Sequence, residues 1–269
     1  MADPTPGRAH LITGGFPPGS MGGHDHDYAR LKLLALLAER GVPASVANDF
    51  ADIGKWLPTS QLLITYVAGP YPDAAQTEAI RDWLEAGGHW LALHGTSGGR
   101  AQRVEGARMR RTVKTEHHAL LGCMFLTHPP IREFRVEVSA APSPLTKGLG
   151  TSFTVEDEPY FIELQEPAST QILLTAEFGP TAAGATEHLY PSDTSLLPDG
   201  KSRVLGYSRD VGRGGVVYFA FGHCHNPAIR AARAIADSAD KTPPTFRAPW
   251  ETTAVVTLLR NAIAWGVGA

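Results

Sequence analysis

Four short apolar runs, at residues 10–13, 42–46, 62–67 and 90–94, are separated by stretches of helical periodicity. This alternation constrains the fold more than any other feature of the chain. Strands that recur with a helix between them pair in parallel, and the crossover helices cover both faces of the sheet. The helical stretches are 28–39 and 73–86. They end at Gly41 and at Gly87-Gly88, where a left-handed cap favours glycine. The expected fold class is α/β, a three-layer α/β/α sandwich with a mostly parallel central sheet.

Beyond Gly99 the pattern loosens into a polar, basic connection, a short helical piece at 117–121, and the alternating run Phe134-Arg135-Val136-Glu137-Val138, which reads as a half-exposed strand. Further strands are expected at 153–155, 160–164, 171–175, 203–207 and 216–221. A helix over 248–266 closes the chain, with Val255, Leu258, Leu259, Ala262 and Trp265 at helical spacing. Segments 176–202 and 226–248, rich in Pro, Gly and Ala, read as excursions from the sheet. Open α/β sheets reach 269 residues without dividing, so one domain over 1–269 is expected.

A net charge of −3, with Arg100 to Lys114 as the sole basic stretch, argues against a nucleic-acid partner. No apolar run approaches the roughly 20 residues that span a bilayer, and the first residues lack a signal-like apolar region. No membrane association is expected, and the protein should stay in the cytoplasm. Only Cys123 and Cys224 are present, far apart and without a CxxC pair, which excludes a disulfide framework and a thiolate zinc cluster.

In open parallel sheets ligands bind beyond the carboxyl ends of the strands, so the residues just after each strand carry the functional signal. After the first strand comes a glycine-rich loop ending in His24-Asp25-His26-Asp27. It matches neither GxGxxG nor GxxxxGK[ST]. Asp25 or Asp27 also suits the cap of the next helix. The fourth strand ends in His94-Gly95-Thr96-Ser97-Gly98-Gly99, whose last five residues match GxSxG and make Ser97 a candidate nucleophile. No strongly amphipathic helix follows it, as a nucleophile elbow would require. His128 stands before a proline pair that holds it rigidly, and Glu156-Asp157-Glu158-Pro159-Tyr160 sets three carboxylates before a strand. The last apolar strand runs into Gly222-His223-Cys224-His225. If the strand continued, His223 and His225 would share a side; a turn, which is preferred, would leave only His223 at the site. Two chemistries fit these residues: a divalent metal on mixed N/O ligands, or a metal-free acid/base pocket.

Taken in order, several segments resemble the ThuA-like (trehalose utilisation) family, built on the class I glutamine-amidotransferase-like fold. They are the loop ending in His24-Asp25, Gly87-Gly88-His89-Trp90-Leu91-Ala92-Leu93-His94, His118-Ala119-Leu120-Leu121-Gly122 through His128-Pro129, and Asp157-Glu158-Pro159-Tyr160. Gly212-Arg213-Gly214-Gly215-Val216-Val217-Tyr218-Phe219 leading to Gly222-His223, and Asn261-Ala262-Ile263-Ala264-Trp265, complete the match over nearly the whole chain. The resemblance implies a flavodoxin-like fold and a link to sugar catabolism. Glutamine amidotransferases carry a cysteine at the turn where this chain has His94, so amidotransferase activity is not expected.

The resulting expectation is a sugar-catabolic enzyme, a lyase or hydrolase, acting on a small-molecule carbohydrate such as a keto-disaccharide by acid/base chemistry. His94 and His223 are its candidate bases and Glu158 its acid or orienting carboxylate. His24, His128 and Tyr160 are substrate-binding candidates. A divalent metal, zinc or similar, would draw its ligands from His24, His94, His128 and His223. The alternatives are a serine hydrolase with Ser97 as nucleophile, His223 as base and Glu158 or Asp210 as orienting group, and a non-catalytic sugar-binding or regulatory module. Assembly into a homo-oligomer is left open.

Overall fold

The computed structural model describes residues 7–15, 23–106, 110–180, 190–228 and 243–268. Residues 16–22 of the glycine-rich loop, and 181–189 and 229–242 of the two excursions, lie outside the described residues. The strands are β1 (Ala9–Gly15), β2 (Ala44–Ala47), β3 (Leu62–Ala68), β4 (His89–Leu93), β5 (Ala101–Arg103), β6 (Arg110–Thr112) and β7 (Cys123–Thr127). They continue with β8 (Arg132–Val138), β9 (Ser152–Asp157), β10 (Phe161–Leu164), β11 (Thr170–Glu177), β12 (Ser202–Val211) and β13 (Gly214–Phe219). The helices are α1 (His26–Glu39), α2 (Ile53–Trp56), α3 (Ala74–Glu85), α4 (Glu116–Leu121), a single turn at Ala248–Glu251 and the C-terminal helix Thr253–Gly266.

Nine strands form one sheet in the order β2-β1-β3-β4-β13-β12-β11-β8-β9. Neighbours from β2 to β13 pair in parallel. From β13 outward the pairing is antiparallel. The result is a flavodoxin-like α/β architecture. Residue register shows how the layers form. Trp90 of β4 lies beside Leu63 and donates its indole N–H to Thr65 Oγ1 at 2.9 Å, on the face covered by α4, where its ring meets His117. Leu62, one residue out of phase, packs on Gly266 of the C-terminal helix on the other face. Covered on both sides, β1 and β13 are buried at every position, whereas β8 alternates exposed and buried residues.

Local chemistry sets the helix ends. Asp25 caps α1 by accepting from Tyr28 N, and Asp73 and Gln76 form a reciprocal capping box on α3. The expected single helix over 248–266 is interrupted at Thr252, whose extended backbone (ψ 120°) separates a first turn from the C-terminal helix. The basic connection after Gly99 carries an antiparallel pair, β5 with β6. Of a second small ladder, β7 with β10, the strand expected at 160–164 is present as β10, whereas β7, which follows α4 directly through Gly122, was not foreseen. Among the described residues no helix is long and apolar enough to cross a membrane.

Candidate functional site

At the carboxyl end of β4 the chain turns sharply through His94, the one non-glycine residue among those described with positive φ (41°). Such a backbone is strained for a residue with a Cβ and persists only where its surroundings impose it. Here they do. The His94 carbonyl accepts from Tyr218 Oη at 2.9 Å and from Ser97 Oγ at 3.1 Å. Gly95 next to it sits so close to β3 that a Cβ would lie 2.4 Å from the Val67 carbonyl oxygen. The ring is fixed as well, with Nδ1 3.0 Å from the Ala220 carbonyl. A carbonyl only accepts, so Nδ1 carries the proton and the lone pair is on Nε2.

His223 reaches the same place from β13. The strand ends in a turn at Gly222, whose φ of 117° a side-chain-bearing residue rarely adopts. Its carbonyl accepts from Tyr66 Oη and Trp250 Nε1, both at 2.8 Å. Asp157, wholly buried at the end of β9, accepts from Gly222 N at 2.7 Å, His223 N at 3.1 Å and Glu158 N at 2.7 Å. Burial pushes its carboxyl up to about 8, against these three donors, which favour the ionised form. His24 arrives from the β1–α1 connection, which is tied to the β13 turn by the hydrogen bond from Asp25 N to the Cys224 carbonyl at 2.8 Å.

The three imidazoles converge. His94 Nε2 lies 3.1 Å from His24 Nε2, and one nitrogen from each of His24, His94 and His223 falls within 4.8 Å of the others. His24 is 6% exposed, His94 and His223 0%. Glu158, also buried, closes the group with Oε2 3.4 Å from His223 Nδ1, while its Oε1 is 3.2 Å from His128 Nδ1. The β7–β10 ladder pairs Phe161 with Thr127 and so sets Tyr160 beside His128, their rings stacked 5.8 Å apart. Tyr160 Oη is 3.4 Å from His24 Nε2, and its ring lies 3.9 Å from that of His94.

Of the residues singled out from sequence, His24, His94, His223, Glu158 and Tyr160 therefore share one site. His128 stands behind Glu158 rather than among the converging nitrogens, since its Nδ1 is directed to Glu158 and to the Pro129 carbonyl. Ser97 is buried within the elbow, its Oγ held by the His94 carbonyl and by Tyr218 Oη at 2.8 Å, with no imidazole partner among the described residues. Asp210 pairs with Gly215 at the start of β13, the opposite end of that strand from His223. His225 is no bystander of the turn: its Nδ1 lies 3.0 Å from His223 Nε2. The Gly-His-Cys-His spacing held that signal, but whether a turn or a strand follows Gly222 decides which neighbour each ring meets. His26, buried at the start of α1, is depressed to about 4, first by desolvation and then by Arg30.

The divalent-cation option can be tested on the donor set itself. Zinc holds imidazole nitrogens at about 2.0–2.1 Å, which puts two tetrahedral ligands about 3.3 Å apart. The 3.1 Å spacing of His24 and His94 fits, and a ring nitrogen anchored on a backbone carbonyl is the usual support of a metal-binding histidine.

The family model described as trehalose utilisation matches residues 19–233. Comparison with curated proteins finds no match. Among solved structures, a ThuA-like protein from Bacteroides uniformis is similar with a TM-score of 0.60 at 17% identity, covering 99% of this chain and 94% of its own. A ThuA-like protein from Parabacteroides merdae gives 0.62 at 16%, with 98% and 91% covered. A β-galactosidase from Rahnella sp. R3 shares the fold more loosely, with a TM-score of 0.52 at 13% identity over 81% of this chain and 29% of its own. With the family model matching residues 19–233, the chain belongs to the ThuA family.

Proposed function

We propose that this protein is an enzyme of sugar catabolism that cleaves or converts a keto-disaccharide, or a related oxidised sugar, at a divalent metal held by His24, His94 and His223. The observation that carries this reading is the convergence of three buried imidazoles, with the far nitrogen of His94 anchored on a carbonyl. The family description supports the substrate class. When bound, zinc or a similar ion would polarise a substrate carbonyl.

The remaining chemistry belongs to the chain. A C–H beside a ketone is acidic, and Glu158 is the carboxylate set beside His223 at the histidine cluster. It accepts that proton; the electron pair forms a carbon–carbon double bond as the bond to the glycosidic oxygen breaks. The departing oxygen takes a proton back from Glu158, so the step is redox-neutral and leaves no covalent enzyme intermediate. The His128 Nδ1–H orients Glu158 through Oε1. Tyr160 Oη, beside His24 Nε2, offers a hydrogen-bond donor to a sugar oxygen. The serine-hydrolase alternative finds no support in the geometry, because Ser97 is locked away from His223.

Elemental analysis of the purified protein, paired with an assay on keto-disaccharides, tests the reading. A stoichiometric metal is expected, with metal and turnover both lost in His94→Ala and His223→Ala that remain folded. Full activity in both variants, or sugar binding by calorimetry without turnover, would overturn it.

A further inference from the structure

We propose that His225 is a positioning residue that fixes the ring tautomer of His223, so that His223 presents Nδ1 to the site while His24 and His94 present Nε2. This deepens the metal reading above and rests on it for the consequence in binding. The hydrogen-bond chain is anchored on an acceptor, the Pro243 carbonyl, 2.8 Å from His225 Nε2. A carbonyl oxygen cannot donate, so Nε2 of His225 carries the proton, and in the neutral ring the lone pair is on Nδ1. That lone pair lies 3.0 Å from His223 Nε2, which must then donate. His223 is left with its lone pair on Nδ1, the atom that faces Glu158 Oε2 at 3.4 Å. Two acceptors meeting across that gap are reconciled by a shared cation or proton.

His225 is well placed to impose this. It is 1% exposed, and its backbone exchanges both hydrogen bonds with Phe246, at 3.1 and 3.0 Å. The Phe246 ring packs beside both imidazoles, at 6.0 Å from His223 and 5.8 Å from His225. His94 is anchored through Nδ1 on Ala220 and His223 through Nε2 on His225, so the two rings enter the site by opposite nitrogens. Outer partners of this kind typically change metal affinity by about 10–100-fold when removed.

Two measurements test the proposal. Long-range proton–nitrogen NMR on the metal-free protein reads which nitrogen of His223 is protonated; Nε2–H is expected in the wild type and a mixture of tautomers in His225→Phe. Zinc affinity, by competition with a chromophoric chelator, should fall about 10–100-fold in His225→Phe. In His225→Asn, whose Oδ1 replaces Nδ1 as acceptor, it should stay near wild type. A His223 ring protonated at Nδ1 and not at Nε2 in the metal-free wild type would overturn the assignment. So would zinc binding in His225→Phe at wild-type strength, or an equal loss in the Asn and Phe variants. If His225→Phe does not fold, the wild-type spectrum and the Asn variant still decide. A wild type that binds no zinc yet shows Nε2–H on His223 removes the metal reading alone, because the tautomer is read without metal.

Discussion

The two halves of the sheet contribute to the site in different ways. In the parallel half, β2-β1-β3-β4-β13, the inner strands are covered on both faces, and the connections after β1, β4 and β13 supply the three converging histidines. The antiparallel half, β12-β11-β8-β9, ends in strands such as β8 that alternate buried and exposed residues, and contributes one carboxylate, Glu158, just past β9. The histidines depend on what lies beneath them. Glu158 depends on a tie: Asp157, holding Gly222 N and His223 N, draws the end of β9 onto the end of β13. The parallel half sets the geometry of the candidate metal ligands, and the antiparallel half brings a carboxylate to them.

The largest expected effect is in the parallel half. His24→Ala, His94→Ala and His223→Ala should each weaken zinc binding beyond the roughly 100-fold upper range for a supporting residue, by the same chelator competition. Retention of tight zinc by any one of them would take that histidine out of the ligand set. Trp90→Ala, which empties a wholly buried site and removes the indole hydrogen bond to Thr65, should cost about 3–5 kcal/mol in urea unfolding. A cost below about 1 kcal/mol would mean that the parallel half is no more rigid than the other.

Acid should separate the halves further. Burial depresses His10 to about 4 and His117 to about 3; His10 lies within β1 and His117 packs from α4 against Trp90 of β4. Their folded values lie below the unfolded value of about 6.5, so the unfolded chain binds more protons between those limits. Stability is fully present above about 6.5 and is lost as pH falls through that value toward 4. Urea midpoints at pH 7, 5.5 and 4.5 should fall in that order, and His117→Gln should flatten the slope. An unchanged slope in that variant would move the acid-labile groups elsewhere.

Two smaller effects complete the contrast. Ser97→Ala removes hydrogen bonds to Tyr218 and the His94 carbonyl and should cost about 1 kcal/mol, without abolishing turnover. Labelling of Ser97 by a fluorophosphonate would contradict its placement inside the elbow. On the antiparallel half, Arg135→Ala breaks an exposed ion pair with Glu137 on β8 and should shift stability by no more than about 0.5 kcal/mol.

Much of the parallel half was legible in the sequence because its cues are local. Apolar runs over 10–13, 62–67 and 90–94, with glycine-ended helical periods between them, specify buried strands and crossover helices wherever they occur. That His94 and His223 close such strands was legible for the same reason. Of the β7–β10 ladder only the strand at 160–164 was legible; β7 and the pairing were not, since a ladder joins segments that are not neighbours in the chain. Nor was the break at Thr252, because Val255, Leu258 and Leu259 keep helical spacing on one side of it and Trp250 is buried on the other.

By itself, then, the sequence determined the βα alternation, the absence of a cysteine at the elbow, and which residue types stand at the strand ends. Only the tertiary structure decided which of them meet. It joined His24, His94 and His223, put His128 behind Glu158, closed Ser97 into the elbow, and turned His225 into the partner of His223. The physical reason is that strand periodicity is written in neighbouring residues, whereas a site is a set of distances between residues up to about two hundred positions apart, set by strand order and turn geometry.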